Sequence, residues 1–192
     1  MNLPNKLTML RIALVPFVVI LYLCMPADLM IFDATSQLAL RDVLVFLIFV
    51  IASFTDMLDG MIARKYNLIT SFGKFVDPIA DKLLVNTVLI MLVFTRQANV
   101  VAVVLMIARD LFVDGLRMTA ASQGQVVSAG FYGKLKTVLQ MCAIAVLLLR
   151  NWPFSFIHFP LDQILLWCAT IASLYSGYIY FTKLKKYVLE TM

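Results

Sequence analysis

The chain has 192 residues, of which 62% are hydrophobic and only 14% are charged. A soluble domain averages roughly 45–50% apolar and about 25% charged residues, so this composition indicates an integral membrane protein and leaves no room for a separate soluble domain. The net charge of +5 favours lipid headgroups or anionic substrates as partners. The chain has no basic run interleaved with aromatic residues, so nucleic-acid binding is not predicted.

Six apolar segments are candidates for membrane-spanning helices, which need roughly 20 residues each. In chain order they are Leu7–Met25, Asp42–Met57, Ile79–Thr95, Val100–Ala121, Leu135–Leu149 and Leu161–Phe181. The second, third and fifth are short, and we expect their helices to continue into the aqueous interface. The predicted fold class is an all-α integral membrane protein with six transmembrane helices, formed as one domain over residues 1–192.

Lysine and arginine are distributed unequally between the two sides of these spans. One side carries eleven of them, with Lys82 close by, whereas the other side carries only Arg41, Arg96 and Arg150. Cytoplasmic loops of membrane proteins carry the excess of basic residues. Both termini, and the connection between the second and third spans, are therefore predicted to face the cytosol.

The connection between the second and third spans carries four aspartates. The pattern is Asp56-x2-Asp59-Gly60-x2-Ala63-Arg64-x8-Gly73-x3-Asp77-x3-Asp81. On a continuing second helix, positions 56, 59, 60 and 63 share one face. Asp77 and Asp81 are four residues apart at the start of the third helix, where Pro78 fits best in the first turn. Two pairs of carboxylates are therefore expected to face each other.

Four neighbouring carboxylates repel one another unless a cation lies among them. Carboxylate oxygens suit Mg²⁺, Mn²⁺ or Ca²⁺, and paired divalent ions commonly bind a phosphoryl group that undergoes displacement. Gly60 and Ala63 leave space for a ligand, and Arg64 offers planar donors to phosphate. The alternative is a solvated loop with helix-capping aspartates, in which Asp77 caps a helix begun by Pro78.

The aspartate pattern resembles the signature of the CDP-alcohol phosphatidyltransferase family, with eight specified positions matching over 26 residues. The resemblance implies a six-helix membrane enzyme that uses divalent metal, Mg²⁺ or Mn²⁺, with two ions. It assigns metal binding to Asp56, Asp59 and Asp77 with Asp81 nearby, and it makes Asp81 the candidate general base. It assigns binding of the CMP and diphosphate parts of CDP-diacylglycerol to Gly60, Ala63 and Arg64, and close approach of helix or substrate to Gly73.

The first span opens with "NLPNKLTMLRI", in which Asn5 and Thr8 interrupt an apolar run. One interpretation makes both residues helix caps. The stretch also resembles the N-terminus of those family members that make phosphatidylglycerophosphate, where it lies beside the nucleotide. The resemblance therefore adds Asn5 and Thr8 to the predicted CDP-diacylglycerol site.

The fourth and fifth spans carry charges that bear on the acceptor. Asp110, Asp114 and Arg117 share one helical face beside Arg109, and the alternative interpretation is an internal salt-bridge network. Lysines of "GKLKT" begin the fifth span, and the alternative there is a snorkelling positive-inside anchor. The predicted acceptor-phosphate site is formed by Arg109, Arg117, Lys134 and Lys136. Four cations suit an acceptor that carries its own phosphate, such as sn-glycerol 3-phosphate.

The predicted reaction transfers the phosphatidyl group of CDP-diacylglycerol to sn-glycerol 3-phosphate and releases CMP. Alternatives are the same chemistry with inositol phosphate, serine or phosphatidylglycerol, a Mg²⁺-dependent intramembrane prenyltransferase, or a small cation transporter. Prenyltransferases carry aspartates in two separated loops, and a transporter needs carboxylates nearer mid-membrane. The resemblance further implies a homodimer in the bacterial cytoplasmic membrane with its active site facing the cytosol. The aromatic residues of the last span, including Tyr180, are interpreted as packing and belt residues.

Overall fold

The computed structural model describes residues 2–26, 29, 38–65, 71–124, 130–157 and 159–189. Side chains at 3, 4, 57, 59, 60, 62–65, 71, 72, 74, 75 and 186–189 lie outside this description, although the helical backbone there is included. The described residues form six α-helices: α1 (Leu3–Cys24), α2 (Leu40–Lys65), α3 (Ser71–Phe94), α4 (Val100–Ser122), α5 (Phe131–Leu148) and α6 (Leu161–Leu189). A short 3-10 helix, Phe154–Ile157, precedes α6.

Each of the six predicted segments coincides with a helix. The expectation that the short segments continue beyond their apolar runs is confirmed, because α2 extends to Lys65, α3 begins at Ser71 and α5 begins at Phe131. The start of α4 follows from a local signal. The side-chain oxygen of Asn99 accepts a hydrogen bond of 2.9 Å from the backbone N–H of Val101, which satisfies one of the helix's unpaired N-terminal donors.

Two predictions about helix starts are wrong. Pro78 lies inside α3 and not in its first turn, so Asp77 does not cap that helix. Proline lacks an N–H, and one carbonyl a turn earlier loses its helical partner, yet the packing of α3 against α1 keeps the helix continuous. Asn5 and Thr8 are not caps either, because α1 has its N-cap at Asn2 and both side chains are buried within the helix.

The helices alternate in direction, and contacts at both ends of the bundle establish this. Thr8 and Arg11, near the start of α1, contact Asp77 and Asp56 respectively. We call this the site end, and the other end the opposite end. α1 packs against α2 and α3, whereas α6 packs against α4 and α5, with fewer contacts between these two groups. The bundle therefore consists of two halves of three helices each. The helix ends that are predicted to face the cytosol lie together at the site end.

The core between the halves is apolar. Val18 of α1, Val88 of α3 and Ile144 of α5 are fully buried in one cluster to which all six helices contribute. Burial of such side chains contributes roughly 1.5–3 kcal/mol each. A second, smaller cluster joins α4 to α6 near the site end and includes Tyr180 and Leu184. These contacts hold the polar side chains described below in fixed positions.

The outer surface of the bundle is also apolar. Large hydrophobic side chains such as Leu23, Phe94 and Leu111 are exposed on α1, α3 and α4. Contiguous exposed apolar surface is unfavourable in water. Within the described residues, three stretches are long and apolar enough to cross a membrane: Asn5–Cys24, Phe131–Leu148 and Leu161–Lys185. The structure is thus consistent with a membrane protein. That α2, α3 and α4 also cross the membrane, which would make six spans, stays a prediction.

A buried polar cluster lies at the opposite end, formed by Tyr22, Arg41, Asp42, Gln97 and Arg150. The carboxylate of Asp42 is fully buried and accepts a hydrogen bond of 2.9 Å from Nε of Arg150. Nε2 of Gln97 donates to the same oxygen at 3.4 Å. The guanidinium of Arg41 lies 5.4 Å from the ring centre of Tyr22. This opposite-end cluster joins α1 and α2 to the turns that follow α3 and α5.

Candidate active site

Three of the four motif aspartates lie at the site end with described side chains. Asp56 lies on α2, and Asp77 and Asp81 lie one turn apart on α3. The hydroxyl of Thr8 donates a hydrogen bond of 2.5 Å to Oδ1 of Asp77, and Arg11 forms an ion pair with Asp56. The first helix therefore lies beside the aspartate group and contacts it through Thr8 and Arg11.

Four predicted site residues on α2 lie outside the described side chains. These are Asp59, Gly60, Ala63 and Arg64, of which only the helical backbone is described. Asn5 and Gly73 are described, and both are buried at the site end. Within the described side chains, no three carboxylate, histidine or cysteine groups are close enough to hold one metal ion.

The chemistry of the described donors nevertheless fits a divalent cation. Carboxylates of Asp56 and Asp81 lie close enough on facing helices for their charges to interact. Hard oxygen ligands of this kind suit Mg²⁺ or Mn²⁺, and they do not suit soft metals. The fourth carboxylate of the pattern, Asp59, is three residues from Asp56 on the same helix.

A cavity of about 170 Å³ opens beside Asp81 between α3, α4, α5 and α6. Its polar lining includes Asp81, Lys82, Asn86, Arg109, Asp110, Asp114, Arg117, Lys136, Thr137, Gln140 and Tyr180. This volume is smaller than the roughly 300–1,000 Å³ that encloses drug-sized ligands. The cavity therefore suits a small polar molecule and not a lipid chain.

Three of the four predicted acceptor residues line this cavity, and one does not. Arg109 and Arg117 reach it from α4 and Lys136 reaches it from α5. Lys134, two residues before Lys136, is exposed and does not belong to the lining. In a helix, residues two apart point in different directions. Lys82 of α3 instead supplies the fourth cation of the cavity.

A buried salt-bridge network organises these cations. Asp110 accepts a hydrogen bond of 2.8 Å from a terminal nitrogen of Arg109 through Oδ1 and one of 2.6 Å from Lys136 through Oδ2. Lys82 forms a further ion pair with Asp114. The alternative interpretation, an internal network, is therefore correct as a description of the contacts. It coexists with the open cavity, in which four cationic side chains outnumber three carboxylates.

Asp81 connects the aspartate group to the cavity. Its carboxylate interacts electrostatically with Asp56 and Arg11 on one side, and with Lys136 and Lys82 on the other. The side chain also lines the cavity itself. A group bound in the cavity would thus lie beside Asp81, next to whatever the aspartate group holds.

Sequence reasoning missed several residues of this site. Arg11 is only 2% exposed and partners Asp56; the signal that it carried was a charge inside an apolar span. Tyr180 is a packing residue, as predicted, but it is not a belt residue, and its place in the cavity lining and its hydrogen bond of 2.8 Å from the N–H of Gly130 were not predicted. Ser176, which accepts a hydrogen bond from Arg109, carried no signal in the sequence.

Comparison with known proteins identifies the family. Residues 1–175 match the family model described as CDP-alcohol phosphatidyltransferase. A protein of Bacillus subtilis named CDP-diacylglycerol–glycerol-3-phosphate 3-phosphatidyltransferase is 45% identical over 185 residues, which cover 95% of this chain and 94% of the relative. A protein of Rickettsia bellii with the same name is 43% identical, covering 97% of each chain.

A more distant relative from Mycobacterium tuberculosis, named probable phosphatidylglycerophosphate synthase, is 38% identical over 148 residues, which cover 77% of this chain and 66% of the relative. Residues 1–175, which match the family model, contain the whole aspartate pattern and the cavity residues up to α5. The chain belongs to the CDP-alcohol phosphatidyltransferase family.

Proposed function

We propose that this protein transfers the phosphatidyl group of CDP-diacylglycerol to sn-glycerol 3-phosphate, giving phosphatidylglycerophosphate and CMP. The names of the relatives at 43–45% identity support both substrates. The observation that carries the proposal is the cationic cavity that opens beside Asp81. An acceptor with its own phosphate would satisfy the excess positive charge there, whereas serine and ethanolamine need less of it.

The acceptor phosphate would be bound by Arg109, Arg117 and Lys136. Arginine offers planar donors that match phosphate oxygens, and lysine adds a compact charge. The fourth predicted residue, Lys134, is exposed and would act at the entrance, attracting the anionic acceptor from solution. Lys82 is a better candidate for direct contact, since it lines the cavity.

The donor would be bound on the α1–α2–α3 side of the site. Members of the family generally use divalent metal ions, and we propose two Mg²⁺ or Mn²⁺ ions held by Asp56, Asp59, Asp77 and Asp81. When bound, such ions neutralise the diphosphate and stabilise the leaving CMP. The remaining donor contacts are assigned to Asn5, Thr8, Gly60, Ala63, Arg64 and Gly73.

Asp81 would act as the general base. Its carboxylate would take the proton of the glycerol hydroxyl as that oxygen forms a bond to the phosphatidyl phosphorus. The bond between this phosphorus and the CMP oxygen then breaks, and CMP leaves with the electron pair. The ionised form of this carboxylate is the one that accepts the proton.

We further propose that residues 1–192 form a single transmembrane domain with six spans and cytosolic termini. The uneven distribution of lysine and arginine supports this orientation. The protein would then lie in the cytoplasmic membrane of a bacterium, as a homodimer, with the site end facing cytosolic glycerol 3-phosphate. A C-terminal fluorescent protein should fluoresce, and a C-terminal alkaline phosphatase should stay inactive; the reverse pattern would contradict this orientation.

The decisive experiment measures CMP release by the purified protein in detergent with CDP-diacylglycerol and Mg²⁺. The acceptors are sn-glycerol 3-phosphate, inositol phosphate, serine and phosphatidylglycerol, each tested alone. We expect release with sn-glycerol 3-phosphate and its loss when the divalent ions are chelated. Release only with another acceptor would overturn the choice of substrate, and full activity in chelator would overturn the metal assignment.

A further inference from the structure

Arg109 crosses α6 at a position that has no side chain. A Cβ atom added to Gly177 would lie 2.9 Å from Cγ and 3.3 Å from Nε of Arg109. Contacts below 3.0 Å are essentially never observed for real Cβ atoms. The nearest atoms belong to the stem of the arginine, so rotation of its far end would not relieve the overlap. The absence of a side chain at Gly177 therefore determines the path of Arg109.

The same face of α6 also orients the guanidinium group. One terminal nitrogen of Arg109 donates a hydrogen bond of 2.6 Å to Oγ of Ser176, and the other donates to Asp110. The ring of Tyr180, one turn further along, has its centre 5.9 Å from Cζ. Two of the five donor N–H groups of the arginine are used in this way. Its plane is thereby fixed while the group still lines the cavity.

Fixing a cation before the ligand arrives increases affinity, because less side-chain entropy is lost on binding. We infer that Gly177 is a positioning residue for acceptor binding, which acts by letting Arg109 lie against α6 and present its guanidinium to the phosphate of the acceptor. This inference rests on the proposed function, in which Arg109 binds that phosphate.

A different role for Gly177 is simple close packing of α6 against α4. The three nearest atoms to an added Cβ all belong to the side chain of Arg109 and none to the α4 backbone. If packing alone mattered, substitution at 177 would have the same effect whatever residue stood at 109. The two roles are therefore separable by combining substitutions at both positions.

The first test is Gly177→Ala, compared with Gly115→Ala on α4, where an added Cβ meets no atom within 4 Å. We expect Gly177→Ala to raise the KM for sn-glycerol 3-phosphate about tenfold, as displacement of one charged hydrogen-bonding group predicts. The KM for CDP-diacylglycerol should stay unchanged. Gly115→Ala should leave both KM values unchanged. Equal behaviour of the two alanine variants would overturn the inference.

The second test repeats Gly177→Ala in an Arg109→Ala background, where no stem remains to clash. We expect no additional rise in KM there, since the two residues act as one unit. An equal rise in both backgrounds would assign Gly177 a packing role only and overturn the inference. If Arg109→Ala alone leaves the KM for sn-glycerol 3-phosphate unchanged, the proposed acceptor site itself fails, which is a separate result.

Ser176→Ala keeps the inference testable if Gly177→Ala does not fold. This substitution removes one hydrogen bond from Arg109 and adds no atoms. We expect a smaller rise in the KM for sn-glycerol 3-phosphate, about threefold to tenfold, as the net contribution of one ordinary hydrogen bond predicts. The rise should vanish in the Arg109→Ala background. An unchanged KM in Ser176→Ala would contradict the view that this face of α6 orients Arg109.

Discussion

Two buried carboxylates, one near each end of the bundle, have similar partners and different surroundings. At the opposite end, Asp42 lies between Arg150 and Arg41. Near the site end, Asp110 lies between Arg109 and Lys136. In both places one aspartate is shared by two cations, as the high cost of burying an unpaired charge requires.

The difference lies in what surrounds each group. Around Asp110, further cations line a cavity, so the network has space for a ligand. Around Asp42, the carboxylate is fully enclosed, and the stacking of Arg41 on Tyr22 covers one of its cations. A buried salt bridge is therefore not by itself a sign of function. Both clusters carry one more cation than carboxylate, so the open volume is what distinguishes the proposed binding cluster from the opposite-end cluster.

The largest effect, a loss of turnover, is expected from substitution of Asp81, which lies between the cavity and the aspartate group. Asp81→Asn keeps the shape of the side chain but removes the base, so kcat should fall by roughly 100-fold or more. CMP release under saturating substrates measures this. Asp162→Asn, at the start of α6 at the opposite end, is the matched control and should retain normal turnover. Near-normal turnover of Asp81→Asn would remove the proposed role of Asp81.

The next largest effect is expected on stability at the opposite end. Asp42→Asn leaves two arginines beside a neutral amide, and breaking a buried pair in this way costs roughly 3–5 kcal/mol. The melting temperature in detergent should fall clearly. The fraction of the variant that stays folded should keep the same KM for both substrates. A changed KM for sn-glycerol 3-phosphate would mean that the opposite-end cluster also affects binding, and the comparison would fail.

The smallest effect is expected from Asp114→Asn. Its pair with Lys82 is about one-third exposed on both sides, and solvent-accessible pairs of this kind contribute roughly 0–1 kcal/mol. The melting temperature should therefore change by only a few degrees at most. A loss of stability as large as that of Asp42→Asn would show that exposure does not separate the two classes of ion pair in this bundle.

The helices and the aspartate group could be predicted because their signals are local. Apolar runs mark the helices, and the spacing of Asp77 and Asp81 places them one turn apart. The start of α3 could not be predicted from hydropathy, since Ser71, Gly73 and Lys74 interrupt the apolar pattern although the chain there is helical. Pro78 then suggested a boundary that the packing against α1 overrides.

The cavity could be predicted only in part. Arg109, Arg117 and Lys136 were identified by charge within apolar spans, and all three line it. The exclusion of Lys134 depends on which face of α5 packs inward, and hydropathy did not resolve that face. The roles of Ser176 and Gly177 depend on the contact between α4 and α6, which no local pattern encodes.

The most direct test of the central claim compares Lys136→Gln with Arg150→Gln. Each substitution removes one cation from a buried aspartate that keeps a second arginine partner, so both should lower the melting temperature. Only Lys136→Gln should raise the KM for sn-glycerol 3-phosphate, by about tenfold or more, with the KM for CDP-diacylglycerol unchanged. An unchanged KM in Lys136→Gln, or an equal rise in Arg150→Gln, would contradict the division between a binding cluster and a structural one.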